Sequence, residues 1–157
     1  VSYNTNGQDQ RSHGLEVDGK WSVGEGLDLQ AYYTRTLTFY TSTQTGDPVG
    51  KQLQLVPQNV AGGNLSWRPS SAWSFSLELR YNGPMNLALV SGDSAIRQGG
   101  YSTINMGGAW RFARGSEWFA SVSNLSDKRY TDSSASNQQG VTLAMPRTLT
   151  TGLRLQF

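Results

Sequence analysis

Residues 146–157 read PRTLTTGLRLQF, and the fold turns on this stretch. Leu149, Thr151, Leu153, Leu155 and Phe157 fall on one side of an extended chain, and Thr148, Thr150, Gly152, Arg154 and Gln156 on the other. A period of two belongs to a strand with one apolar and one wet face. Chain ends ordinarily fray, so a strand that closes on an aromatic is expected to be docked. The expectation is a strand in the wall of a transmembrane β-barrel.

Working back from that strand, the same alternation recurs. Trp73, Phe75, Leu77, Leu79 and Tyr81 interleave with Ser74, Ser76, Glu78 and Arg80. Ser102, Ile104, Met106, Gly108, Trp110 and Phe112 oppose Thr103, Asn105, Gly107 and Arg111. Further strands are expected from Gly14, over 27–42, over 54–68 and from Trp118, with a stub at 1–5 before the turn dipeptide Asn6-Gly7. Short turns at 24–26, 69–72 and 113–116 alternate with long polar loops near 43–53, 90–99 and 132–145. That is the rhythm of an outer-membrane barrel, with short turns on one rim and long loops on the other. Seven full strands and a stub do not close a barrel, and lipid tolerates no open edge. The chain is therefore expected to begin partway through a strand of a larger barrel. Having no signal peptide before Val1, it reads as a processed protein or a fragment.

Tryptophan placement strengthens the membrane reading. Trp21, Trp67, Trp73, Trp110 and Trp118 all lie near a short turn and share parity with the apolar face. They are expected to form an aromatic belt at one membrane boundary, where amphipathic rings settle.

Composition excludes several classes. The 157 residues include 18 Gly and no Cys, carry 15% charged residues and have a net charge of +2. Without cysteine there is no disulfide framework and no thiolate metal site. The charge is too small, and too dispersed, for a nucleic-acid partner. No window holds the roughly 18 apolar residues of a membrane helix. A negative mean hydropathy agrees with a barrel whose strands turn half their residues to a wet lumen. A soluble ligand-carrying barrel would alternate too, but its exterior would carry more Lys and Glu than these Ser-, Thr-, Asn- and Gln-rich faces.

Five motifs in order resemble the C-terminal β-barrel portion of a TonB-dependent outer-membrane receptor. They are Gly14-Leu15-Glu16, Val56-Pro57-Gln58-Asn59, the NL-x-D-x-x-Y pattern from Asn124 to Tyr130, Pro146-Arg147 and the closing Phe157. The resemblance implies an all-β, antiparallel, up-and-down transmembrane β-barrel, present in part. Residues 1–157 would supply about the last eight strands of a barrel of about 22, with the first strand truncated and the plug domain absent. It also implies uptake of a scarce nutrient, above all a ferric siderophore, in the bacterial outer membrane. The implied partners are outer-membrane lipid, the TonB system through the missing plug, and a metal chelate or similar small ligand. The barrel-assembly machinery would be engaged through Leu153, Leu155 and Phe157. The alternative is a complete small outer-membrane barrel with a structural, adhesive or lipid-modifying role.

No enzyme, cofactor or metal site is expected. The single histidine, His13 beside Ser12, reads as a solvated turn residue. Glu78 and Arg80 share a face and read as a lumen charge pair; Glu16, Asp18 and Lys20 read the same way. Asn124 falls where its strand leaves the membrane, and its amide is expected to serve backbone groups at the rim. Candidate ligand contacts in or beside the long loops are Tyr40, Arg97 and Tyr130.

Overall fold

Seven strands, each with an apolar and a polar face, join edge to edge so that every interior backbone group meets a neighbour. In the computed structural model, residues 8–43, 49–89, 95–137 and 140–156 are described. The main sheet holds β1 (Gln8–Ser22), β2 (Leu27–Thr43), β3 (Asn59–Trp67), β4 (Trp73–Asn82), β7 (Tyr101–Ala113), β8 (Ser116–Ser123) and β11 (Thr148–Arg154). Their order is β1-β2-β3-β4-β7-β8-β11, and every pairing is antiparallel. The sheet is open, with β1 and β11 at its edges, and no helix occurs among the described residues. Because direction alternates, the β1–β2, β3–β4 and β7–β8 connections share one rim, as the turn spacing predicts. Gly24, Gly26 and Gly115 in those turns take φ of 108°, 73° and 75°, a region open to glycine and costly for other residues.

Register turns alternation into two chemically opposite surfaces. One row runs Trp21, Leu29, Leu65, Leu77, Met106, Val122, Leu149 across all seven strands. The neighbouring row, on the other face, runs Ser22, Asp28, Ser66, Ser76, Gly107, Ser121, Thr150. Ser66, Ser76, Gly107 and Ser121 line a hollow, together with Asn64, Glu78 and Asn105. The polar face is thus the concave one. On that face, aromatic rings lie over glycines on adjacent strands. A Cβ on Gly62 would stand 2.6 Å from Tyr32 Cζ, and one on Gly152 would stand 2.7 Å from Phe119 Cζ.

Among the described residues, nothing packs on the apolar face. Leu79, Leu149 and Leu153 are 47%, 70% and 63% exposed, and Leu155 points away from cover as well. The buried apolar residues, Tyr40, Met85 and Tyr101, all sit toward the loop rim. A water-soluble protein does not leave a continuous apolar row open across a whole sheet; a lipid-facing wall requires it. The five tryptophans lie on this face toward the turn rim. Trp73, Trp110 and Trp118 share one register row, and Trp67 pairs with Phe75 in the next. Trp73 and Trp110 stack with centroids 5.8 Å apart, and Phe75 and Phe112 extend the ring cluster at 5.9 and 5.6 Å.

The structure departs from the alternation in four places. β1 begins at Gln8 rather than Gly14, so His13 is a mid-strand residue opposite Leu37, its ring edge-on to Phe39, and not a turn residue. β3 begins at Asn59 rather than residue 54, because Leu55 turns to φ 60° and Pro57 offers no ladder donor. The loops near 90–99 and 132–145 carry hairpins: β5 (Met85–Leu89) with β6 (Ala95–Gln98), and β9 (Thr131–Asn137) with β10 (Gly140–Leu143). The β11 ladder ends at Arg154. The stub at 1–5, the Asn6-Gly7 turn and Phe157 lie outside the described residues.

Candidate functional site

The loop rim is where regular pairing fails and side chains take over. Above β3, the segment after Val49 runs beside upper β2: Gly50 N donates to Tyr40 O, Leu53 N to Thr38 O and Thr36 N to Gln58 O. A gap in that ladder is filled by Gln52. Its Oε1 accepts from Thr38 N at 3.1 Å while its Nε2 donates to Thr36 O and Val56 O at 3.3 and 3.4 Å. Next along, Asn86 of β5 donates from Nδ2 to Gln52 O at 2.8 Å, and its carbonyl accepts from Leu55 N. Gln98 of β6 brackets Thr131 of β9, accepting from its N and donating to its O at 3.4 Å. A carboxamide carries an acceptor and two donors, so it can stand in for the peptide group of a missing strand.

Asn124 is the most connected of these amides. It ends β8 in the left-handed region, φ 51°, and is 5% exposed. Its Nδ2 donates to Lys128 O and Met145 O at 2.9 and 3.1 Å, and its Oδ1 accepts from Lys128 N at 2.9 Å. Its own N–H donates to Asn105 Oδ1 at 2.8 Å, and Asn105 Nδ2 donates to Glu78 Oε2 at 2.7 Å. Asp127, three residues on, accepts from Arg147 N at 2.9 Å. One chain of hydrogen bonds therefore ties β4, β7 and β8 to the approach to β11. The amide serves rim backbone as its position in the sequence predicts. Glu78, however, is held by Asn105 rather than by Arg80, because Asn105 stands directly opposite it in the register. Glu16, Asp18 and Lys20 likewise make no ion pair among the described residues.

The three loop candidates occupy different settings. Tyr40 is 4% exposed, which leaves little of its ring free for a ligand. Arg97 is exposed and borders a recess of about 290 Å³ with Lys51, Gln52, Gln58 and Asn86. Tyr130 stacks on Tyr101 with centroids 4.1 Å apart and planes inclined by 22°. Burial pushes the Tyr130 phenol above its ordinary value; Asp132 adds to the rise and Arg80 opposes it. The glutamine and asparagine stitches were missed from the sequence, save Asn124. The available signal was a carboxamide at nearly every point where a loop meets a strand.

At the opposite rim, charge closes on itself along the concave face. Glu117 accepts from Arg154 at 2.9 Å and Arg111 at 3.3 Å, and Asp28 meets Arg68 at 3.4 Å.

Among protein families, residues 1–125 match the β-barrel described as TonB dependent receptor-like. The chain belongs to the TonB-dependent receptor family. Its place is the bacterial outer membrane, and the family consists of receptors rather than enzymes. Solved structures agree on the fold. The ferric yersiniabactin uptake receptor of Yersinia pestis superposes on 97% of this chain with a TM-score of 0.78 at 22% identity. The ferric-catecholate import receptor of E. coli covers 96% at 0.76 and 18% identity. The ferripyoverdine receptor of the Pseudomonas aeruginosa outer membrane covers 96% at 0.76 and 16% identity. The chain spans about a quarter or less of those receptors, 24%, 21% and 20% of their lengths. A comparison with curated protein sequences gives no match.

Proposed function

We propose that this chain is the C-terminal part of the barrel wall of a TonB-dependent receptor that imports a ferric siderophore. The observation that carries the reading is the family match over 1–125, joined to solved neighbours that are receptors for ferric yersiniabactin, ferric catecholates and ferripyoverdine. The geometry suits the role: a lipid-facing apolar surface, a polar concave surface lining the passage, and a cross-linked loop rim where a chelate arrives. Arg97, beside Lys51 in its recess, would meet an anionic chelate; Tyr130 would stiffen the neighbouring loop, and Tyr40 would hold the strand beneath it. The tryptophan belt would seat the wall at the inner boundary. Leu153, Leu155 and Phe157 would present the last strand to the assembly machinery, and a plug would link the barrel to TonB.

The test uses the whole receptor that contains this chain, in cells stripped of other iron-uptake routes. Growth should be restored by at least one ferric chelate and abolished by loss of TonB. Arg97→Ala should weaken binding of that chelate while leaving receptor abundance unchanged. Growth on none of a broad panel of ferric chelates would overturn the substrate class.

A further inference from the structure

Three side chains form a hydrogen-bonded wire whose direction is fixed at both ends. Asn105 of β7 stands opposite Glu78 of β4 in the register, and both belong to the concave face. Asn105 Nδ2 donates to Glu78 Oε2 at 2.7 Å, and Asn105 Oδ1 accepts from Asn124 N at 2.8 Å. A carboxylate only accepts and a peptide N–H only donates, so the Asn105 amide can face one way alone. Turned over, it would set its NH2 against the Asn124 N–H and its oxygen against the carboxylate.

The outer end of the wire holds a turn. Asn124 leaves β8 at φ 51°, and its side chain bonds Lys128 N, Lys128 O and Met145 O. Asp127, also at φ 51°, donates from its N to Asn124 O at 2.8 Å and accepts from Arg147 N at 2.9 Å. The turn and the entry to β11 thus depend on how Asn124 is oriented. The inner end is open. Glu78 is the one charged side chain lining a hollow of about 380 Å³, whose other polar members are hydroxyls and carboxamides. It has no ion-pair partner among the described residues, and Asn64 flanks it from the other side in the register. A cationic group entering this hollow meets a single carboxylate, and a guanidinium takes both of its oxygens at once.

We propose that Glu78, Asn105 and Asn124 form a relay that couples the contents of the lumen to the outer rim: a cationic group that claims the Glu78 carboxylate loosens the turn 124–128. Deprived of its acceptor, the Asn105 amide is free to rotate and no longer holds its oxygen on the Asn124 N–H. Tyr130, two residues past the turn and stacked on Tyr101 at 4.1 Å, is carried with it. Glu78 is therefore a positioning residue for the rim, acting from two strands away. The coupling needs only that the concave face border the passage, whichever ligand the receptor imports.

The test follows amide exchange at Lys128, whose N–H is bonded to Asn124 Oδ1, in the whole receptor containing this chain. Asn64→Arg sets a guanidinium beside Glu78 without touching Asn105 and should speed that exchange on the order of fivefold. Asn64→Gln should leave it unchanged. Glu78→Lys sets donor against donor, and Asn105→Asp sets carboxylate against carboxylate; each should speed exchange on the order of tenfold. Combined, the two should restore the wild-type rate, because the new carboxylate accepts from both the new ammonium and the Asn124 N–H. Glu78→Gln keeps an acceptor oxygen for Asn105 and should match wild type. The Leu77–Met106 rows should stay protected throughout; should Glu78→Lys or Asn105→Asp expose them, Glu78→Leu removes the acceptor alone and should still speed Lys128 several-fold. Additive effects in the double variant, equal speeding by Glu78→Gln and Glu78→Lys, or an unchanged rate in Asn64→Arg or Glu78→Leu would each overturn the relay.

Discussion

The mid-wall and the loop rim solve the same problem by different means. In the mid-wall, seven strands satisfy one another's backbone, with register shifts at strand ends between Asp9 and Gln10 and between Arg111 and Ala113, so side chains are free to specialise by face. At the rim the register is lost, as the shift between Asn86 and Ala88 shows, and Gln52, Asn86, Gln98 and Asn124 complete the hydrogen bonding. In the wall, then, what matters about a residue is its polarity. At the rim it is the exact donor and acceptor set.

The largest effect should come from reversing polarity in the wall. Leu77→Arg puts a cation at mid-band on the outward face and should destabilise the assembled barrel by about 2–4 kcal/mol in urea titrations from lipid vesicles. Ser76→Arg, on the concave face, should stay within about 0.5 kcal/mol. Equal losses at the two positions would erase the distinction between the faces.

Next in size is the rim stitch. Asn124→Ala removes three side-chain hydrogen bonds around buried backbone and should cost about 1–3 kcal/mol. Amide exchange should speed up at Lys128 and Arg147 while the Leu77–Met106 rows stay protected. Unchanged exchange at Lys128 would show that the staple is incidental.

A smaller effect is expected in the ring cluster. Trp110→Leu keeps an apolar side chain but loses the stack on Trp73, a change of about 0.5–1.5 kcal/mol by double-mutant cycle with Trp73→Leu. Strict additivity would mean that the rings share a level without interacting.

The smallest is a pH effect confined to the rim. Because the folded Tyr130 phenol is raised, its contribution is complete below its ordinary value of about 10 and is lost as pH climbs through the raised value. Proteolysis near residues 124–131 should therefore increase in strong alkali, and Tyr130→Phe should abolish that increase. Identical alkaline cleavage in both proteins would remove Tyr130 from the account.

How much of this was legible differs by region for a reason of range. Leu77, Leu79 and Leu153 announce their face because their alternation is local and their environment, lipid, is uniform. The hairpin at Met85–Leu89 and Ala95–Gln98 escaped notice because each arm is too short to show a period. His13 read as a turn residue because Gly14 follows it, yet pairing with β2 holds it in mid-strand. Glu78 pointed to Arg80, two residues away in sequence, and found Asn105 across the ladder, 27 residues on.

The sequence by itself determined an all-β wall, its two faces and its short-turn rim. Each follows from the period-two geometry of one strand and from the cost of placing charge against lipid. Only the tertiary structure decided which amide completes which gap and that Glu117 serves two arginines from different strands. Those facts depend on register between strands, and register is set by pairing across the whole sheet rather than by any pattern within a strand.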